Sequence, residues 1–266
     1  MSFFRFLFAA AAAGLFSVAA CADVPADPPQ PQAGGETTVE KPGDGGVEVI
    51  DKITSAKAEI LMIIDQSGSM YSLTNDTIGG FNSMIQKFKD KKLTGRVSTI
   101  FFNNKISTIH DRQDLDSVKE ISGKEYVPSG TTSLLDAVGI SVTRLSQYPD
   151  LQEAKDTQVI VVIITDGQEN SSREYSKANV KKIIEDRQSA GWQFVFLGAN
   201  IDAASEASSL GIKRENAVKY QNSSAGVRAN YDAVADFAEA AVAAPMGAEP
   251  SDKWKEKLVK DENQNK

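Results

Sequence analysis

The sequence predicts a doubly wound α/β domain, a mostly parallel sheet with one antiparallel edge strand and helices on both faces. Three observations predict it. Short unbroken apolar runs, Ile60–Ile64 and Val159–Ile164 among them, suit strands buried on both faces. Stretches with apolar residues at helical spacing alternate with these runs, the pattern of a parallel sheet with crossover helices. Two of the runs turn abruptly polar, at Asp65 and at Thr165-Asp166-Gly167, where strands of such sheets open into a ligand-binding crevice.

Composition bounds the rest. The chain has 266 residues, 41% hydrophobic and 24% charged, which fits one substantial globular domain with tails. Its net charge of −7 argues against a nucleic-acid partner, which would want a basic face. One Cys and one His leave no material for a disulfide within the chain, a Cys/His zinc site or a Cys–His nucleophile pair.

Residues 1–20 carry one charged side chain, Arg5, ahead of a nearly continuous apolar run. That run is short for a membrane span and right for a secretory signal. Cys21 follows Val18-Ala19-Ala20. The tetrapeptide resembles a bacterial lipobox, in which the Cys becomes the lipidated first residue; ordinary signal cleavage after Ala22 is the alternative. Lipidation would anchor the chain to a membrane of the cell envelope, whereas ordinary cleavage would leave it periplasmic or secreted. Residues 21–46 hold five of the nine prolines and no hydrophobic period, so they read as the attachment Cys and a disordered tether. At about 3.1 Å per residue that tether reaches roughly 75 Å. Residues 47–57 lead in to the first strand.

The folded domain is expected over residues 58–244. After the strand ending at Asp65, a helix begins near Thr74, with Phe81, Met84, Ile85 and Phe88 on one face. Gly79-Gly80 inside it points to a close approach to the sheet. Arg96–Phe102 is the second strand, Asn103-Asn104 a tight turn, and Lys105–His110 an antiparallel edge strand ending at the lone His. Asp114–Ile121 reads as a short helix. The loop Pro128–Thr132 leads into a helix whose apolar face is Leu134, Leu135, Val138, Val142 and Leu145. After Val159–Ile164 come a charged helix, Glu174–Ala190, and a strand, Trp192–Leu197, leaving through Gly198-Ala199-Asn200. A helix near Ala203–Leu210, a short strand near Val218 and a last helix, Arg228–Val242, complete the domain. Residues 245–266 read as a polar, solvated tail.

In the common strand order 3-2-1-4-5-6, the first and fourth strands are neighbours where the winding reverses. Asp65 and Asp166 then emerge side by side. Asp65, Ser67 and Ser69 set hard oxygens at alternate positions, suited to a divalent cation; Asp, Ser and Gly are also ordinary turn residues, and that stretch alone leaves both readings open.

Asp65-x-Ser67-x-Ser69, then Gly130-Thr131, then Thr165-Asp166-Gly167 resembles the metal-ion-dependent adhesion site (MIDAS) of the von Willebrand factor type A (VWA) domain, a Rossmann-like fold. The resemblance spans about Ala58 to Val242. Two longer stretches, Asp76–Asn82 and Phe196–Asn200, are similar to a bacterial branch of tellurite-resistance-associated VWA proteins, from which the leader here is a departure. The resemblance implies a site for Mg²⁺, or Mn²⁺ or Ca²⁺ in its place. Ser67 and Ser69 would bind through their hydroxyls, Asp65 and Asp166 directly or through water, and Thr131 when ligand is bound. It implies a protein partner offering an Asp or Glu to an open metal position. Asn200 and Glu169, on neighbouring loops, either line the site or are ordinary loop polarity.

Rival chemistries lack parts. A phosphotransferase with an aspartyl nucleophile would want a second Asp where Ser67 stands, and no phosphate-binding Gly-x-x-x-x-Gly-Lys occurs. A serine hydrolase would need a base beside Ser67 or Ser69, and His110 is expected at the far edge of the sheet. The expectation is therefore a binding module and not an enzyme; a metal-dependent phosphotransferase or hydrolase, or a regulatory subunit of an ATPase complex, is the alternative.

Overall fold

The structure, a computed structural model, describes residues 56–153, 156–199, 201–245, 247–255 and 258. The expected leader, Cys21 with its tether, nearly all of the 47–57 lead-in and Asn200 lie outside the described residues. Six strands, β1 (Lys57–Asp65), β2 (Gly95–Phe102), β3 (Ile106–Asp114), β4 (Thr157–Thr165), β5 (Gln193–Ala199) and β6 (Ala217–Tyr220), form one sheet in the order β3-β2-β1-β4-β5-β6. Only β3 is antiparallel, against β2. The helices are α1 (Thr74–Asp90), α2 (Leu134–Ser146), α3 (Pro149–Glu153), α4 (Lys177–Ser189), α5 (Ala203–Ser209) and α6 (Ser224–Ala243). Both the predicted sheet order and the antiparallel edge are present. No helix among the described residues is long and apolar enough to cross a membrane.

Strand alternation divides the core in two. Ile60, Met62 and Ile64 face α1 and α6; Leu61 and Ile63 face α2, α4 and α5. Gly80 serves a close approach, but to a neighbouring helix and not to the sheet. A Cβ there would stand 2.3 Å from the Tyr231 ring of α6.

Three expectations are corrected. Residues 115–121 are not helical. Leu115, Val118 and Ile121 are buried in the core, which explains their three-residue spacing, but the backbone is held from outside. Asn82 on α1 accepts from the Ile121 N–H and donates to its carbonyl, both at 2.9 Å. The edge strand runs on to Asp114, so His110 stands within it and is 4% exposed. It stacks on Phe81 with ring centroids 5.9 Å apart and meets Thr99 Oγ1 at 3.0 Å; burial pulls its imidazole below the ordinary range. The tail is not fully solvated either. Trp254 packs edge-on against Phe237 at 5.1 Å, and Leu258 is buried with it. Burying side chains of this size is worth about 1.5–3 kcal/mol each, so the domain extends past residue 244.

Candidate metal centre

Parallel register builds the site. Ile64 pairs with Ile164, so β1 and β4 end level, and Asp65 faces Thr165 with Asp166 one residue beyond. Asp65 is fully buried. Its Oδ1 accepts from the Ser67 N–H at 2.7 Å and its Oδ2 from the Thr165 hydroxyl at 2.6 Å. Its carbonyl accepts from the Tyr126 phenol at 2.6 Å. Burial, opposed by the bonds from Thr165 and Ser67, pushes the Asp65 carboxyl up from 3.8 to about 6.

The serines link the two carboxylates. Ser67 Oγ and Ser69 Oγ lie 3.0 Å apart, and Ser69 donates to Asp166 Oδ1 at 2.6 Å. Asp166 is 3% exposed, and its Oδ2 is buried without a hydrogen-bond partner. Burial raises its carboxyl as well, against the bond from Ser69. No cationic side chain hydrogen-bonds to either carboxylate among the described residues.

The threonine loop differs from expectation. Gly130, at φ 74°, turns the chain beneath Gly68, whose N–H meets its carbonyl at 3.1 Å. Thr131 then points to solvent, and Thr132 is 3% exposed. A Cβ placed on Gly167 would lie 3.3 Å from Thr132 Oγ1 and 3.7 Å from Ser69 Oγ, so both hydroxyls crowd that glycine beside Asp166. Asn170 fixes Thr132 by accepting from its N–H at 2.9 Å and donating its own N–H to the Thr132 carbonyl at 3.0 Å. Of the two threonines, the buried one, with its hydroxyl beside Gly167, is thus Thr132, one residue past the one expected.

Glu169 commits both carboxylate oxygens to the loop and to α2. Its oxygens accept from the Ser171 and Ser172 N–H groups, the Ser172 hydroxyl and the Leu135 N–H, at 2.7–3.0 Å. It ties the loop after β4 to the first turn of α2, an orphan-donor position that an acid satisfies well. Asp136 does the same from α2, accepting from the N–H groups of Arg173, Glu174 and Tyr175. Sequence reasoning quoted Thr165 within its motif without giving it a role, and missed Tyr126 and Asn170. Thr165 alone had a signal, since it stands opposite Asp65 once the two strands are paired.

The donor set fits a hard divalent ion. It offers two desolvated carboxylates, one with an orphaned oxygen, and neutral hydroxyls between them, the oxygen-rich surroundings Mg²⁺ and Ca²⁺ prefer. Among the described residues no group of three or more His, Cys, Asp or Glu could hold a metal; the candidate centre relies on its hydroxyls.

No protein-family model and no curated protein matches the chain. Solved structures do. The pilus adhesin SpaC of Lactobacillus rhamnosus GG aligns over 70% of this chain and 31% of its own, at 11% identity and a TM-score of 0.53. A von Willebrand factor type A protein of Catenulispora acidiphila aligns over 70% of this chain and 43% of its own, at 15% identity and 0.46. Proximal thread matrix protein 1 of the mussel byssus, with a zinc-occupied MIDAS motif, aligns over 71% and 45%, at 18% identity and 0.46. The chain spans less than half the length of each. At such identities the likeness is one of fold.

Proposed function

We propose that this chain is an exported, lipid-anchored binding module of the cell envelope that holds a divalent cation between Asp65 and Asp166. Through that ion it binds the Asp or Glu of a protein partner. The observation that carries the reading is the pair of buried carboxylates with no side-chain cation bonded to them among the described residues, where Asp166 Oδ2 also has no hydrogen-bond partner. Mg²⁺ suits the donor set, with Mn²⁺ or Ca²⁺ as substitutes. Asp65 and Asp166 would supply charge, and Ser67, Ser69 and Thr132 neutral oxygens. Bound, the ion supplies a positive centre on an otherwise acidic protein, which attracts an outside carboxylate. The rim supports a docking role: the large apolar side chains exposed among the described residues are Tyr71, 76% exposed and two residues past Ser69, and Val127, 55% exposed and next to Tyr126.

Calorimetric titration with Mn²⁺ tests the ion. The parent should bind one equivalent, and Asp166→Ala should bind at least about tenfold more weakly, as loss of a charged ligand exceeds the 10–100-fold cost of losing an outer-shell group. A parent that takes up no ion, or a variant that binds equally well, overturns the reading. Export and anchoring are supported by the lone Cys21 behind Val18-Ala19-Ala20. Mass spectrometry of the membrane fraction should find an acylated Cys21 terminus; a soluble chain beginning at Asp23 would show ordinary cleavage. The stretches Asp76–Asn82 and Phe196–Asn200 support kinship with the tellurite-resistance-associated branch. Asp76 there accepts from Ser224 at 2.7 Å and pairs with Arg228 on α6.

A further inference from the structure

On the α1–α6 side of the sheet, several buried polar atoms have no hydrogen-bond partner among the described residues. They include the Tyr220 hydroxyl at the end of β6, and the Tyr231 hydroxyl and both side-chain polar atoms of Asn230 on α6. All three residues are 3% exposed or less. Buried polar groups are nearly always satisfied, by protein or by ordered water, and water that is buried typically bridges several such groups.

Register places Tyr220 opposite Asp166. Thr165 pairs with Gly198, and Ala199 with Tyr220. One residue past Thr165, Asp166 therefore stands level with Ala199 and Tyr220, two strands away, or about 10 Å at the usual strand spacing. Asp166 follows Ile164 by two residues and so faces the same side, the side on which Ala199, Tyr220 and Tyr231 are buried. In register, the residue between Asp166 and Tyr220 on that face is Ala199. After burial, the Asp166 carboxylate is the strongest influence keeping the Tyr220 hydroxyl protonated, ahead of Tyr231 and Asp65. Among the described residues, the phenol is a donor without an acceptor, and Asp166 Oδ2 is an acceptor without a donor. Tyr126 cannot fill this role, because its proton is committed to the Asp65 carbonyl.

We propose that Tyr220 is a positioning residue of the candidate metal centre, its hydroxyl holding Asp166 Oδ2 through an ordered water. Asp166 is then gripped from two sides, by Ser69 on Oδ1 and by the Tyr220 water on Oδ2. A carboxylate oxygen has two lone pairs, so a donor on one side of Oδ2 leaves the other for the ion. The inference deepens the ion-binding reading and rests on it for the effect on the ion, though not for the water.

Tyr220→Phe tests it, since the substitution removes one oxygen and keeps the ring. In a high-resolution crystal structure of the metal-free parent, a water should sit within hydrogen-bond distance of Tyr220 OH and Asp166 Oδ2; no water bridging the two overturns the proposal. In chelator, Tyr220→Phe should lower the Tm of the parent but not that of an Asp166→Asn background. A raised Tm, as deleting a stranded hydroxyl would give, or an equal fall in both backgrounds overturns it. Mn²⁺ affinity should fall roughly tenfold, the lower end for losing an outer-shell partner; affinity within twofold of the parent overturns it. If the parent binds no Mn²⁺, the ion reading fails, and the bridging water with the Tm coupling decides on Tyr220 alone.

Discussion

Glu59 and Asp65 lie on the same strand, six residues apart, and both are buried, 2% and 0% exposed. Their surroundings are opposite. Glu59 receives Arg112 in a bidentate pair at 3.0 and 2.9 Å. The same guanidinium makes two bonds to Asp150, at 2.9 and 2.6 Å, and lies 4.3 Å from the Tyr148 ring centroid. Its hydrogen bonds to Asp150 and Glu59 raise the Arg112 pKa, and the bond from Arg112 holds the Asp150 carboxyl below its ordinary range. Asp65 and Asp166, at the other end of the sheet, have hydroxyls and a backbone N–H but no side-chain cation. A buried carboxylate neutralised within its own chain can be explained by the fold. One left uncompensated holds its proton to higher pH or takes a cation from outside. The neutralised end bears its own cost: Arg112 has φ 46°, in the left-handed region that side chains other than Gly rarely adopt, and it persists because four hydrogen bonds fix the guanidinium.

The sharpest way to break this contrast is to unbalance the neutral end. Arg112→Met strands Glu59 as a buried charge and should cost about 3–5 kcal/mol in urea denaturation. Adding Glu59→Gln should restore much of it. If Arg112→Met alone costs under about 1 kcal/mol, the pair is no better than a surface ion pair and the contrast between the ends fails.

The reverse holds at the unbalanced end, where removing charge should help. With its carboxyl raised from 3.8 to about 6, Asp65 binds more protons in the native than in the unfolded chain between those values. Its contribution is fully present below 3.8 and is lost as pH rises to about 6, a loss of about 3 kcal/mol at roughly 1.4 per pH unit. In chelator above pH 6, Asp65→Asn should therefore be more stable than the parent. The gain should be about 1–2 kcal/mol, because Asn cannot accept from both Ser67 and Thr165. Near pH 4 the advantage should vanish. Mg²⁺ at a hundred times Kd should stabilise the parent by about 2.7 kcal/mol and leave the variant unmoved. If the gap between Asp65→Asn and the parent does not widen from pH 4 to 6 in chelator, Asp65 is not desolvated as described; comparing the two cancels His110, whose lowered imidazole makes stability rise over the same range.

Glu169 separates acids that belong to the fold from acids that belong to the ion. Its four accepted bonds predict that Glu169→Gln costs about 1–2 kcal/mol of stability with Mn²⁺ affinity unchanged. A lost affinity at unchanged Tm would return Glu169 to the site.

Much of this contrast was legible in the sequence, and the reason is local. An apolar run that ends in Asp-x-Ser-x-Ser or Thr-Asp-Gly states both a strand and its exit, and the order of elements then brings the exits together. The neutral end was not legible, because Glu59 and Arg112 are 53 residues apart and Arg112 lies beyond the edge strand's expected end at His110. Leu115, Val118 and Ile121 carry a spacing that a helix and a strap on the core share, and only the grip of Asn82 on Ile121 tells them apart. Trp254 and Leu258 are two apolar residues in a polar tail, too few to form a pattern.

The smallest expected effect concerns the adjacent threonines, which sequence could not order. Thr131 and Thr132 are chemically identical and one residue apart; which faces the carboxylates depends on the backbone turn at Gly130 and on the hold of Asn170 on Thr132. Thr132→Val keeps shape and burial while deleting the hydroxyl beside Gly167. One neutral oxygen is a minor share of the attraction to a divalent ion, so Mn²⁺ affinity should fall only about two- to fivefold, or up to roughly 1 kcal/mol, the ordinary net worth of one hydrogen-bonding group. Binding of an acidic partner should fall further, because the ion would then be held by the two carboxylates and two serines alone. Thr131→Val, at an exposed position, should change neither. The opposite ranking, with Thr131→Val the weaker binder, would mean that the loop turns by one residue when the ion arrives, and the carboxylates would then be completed by a hydroxyl that faces solvent in the metal-free chain.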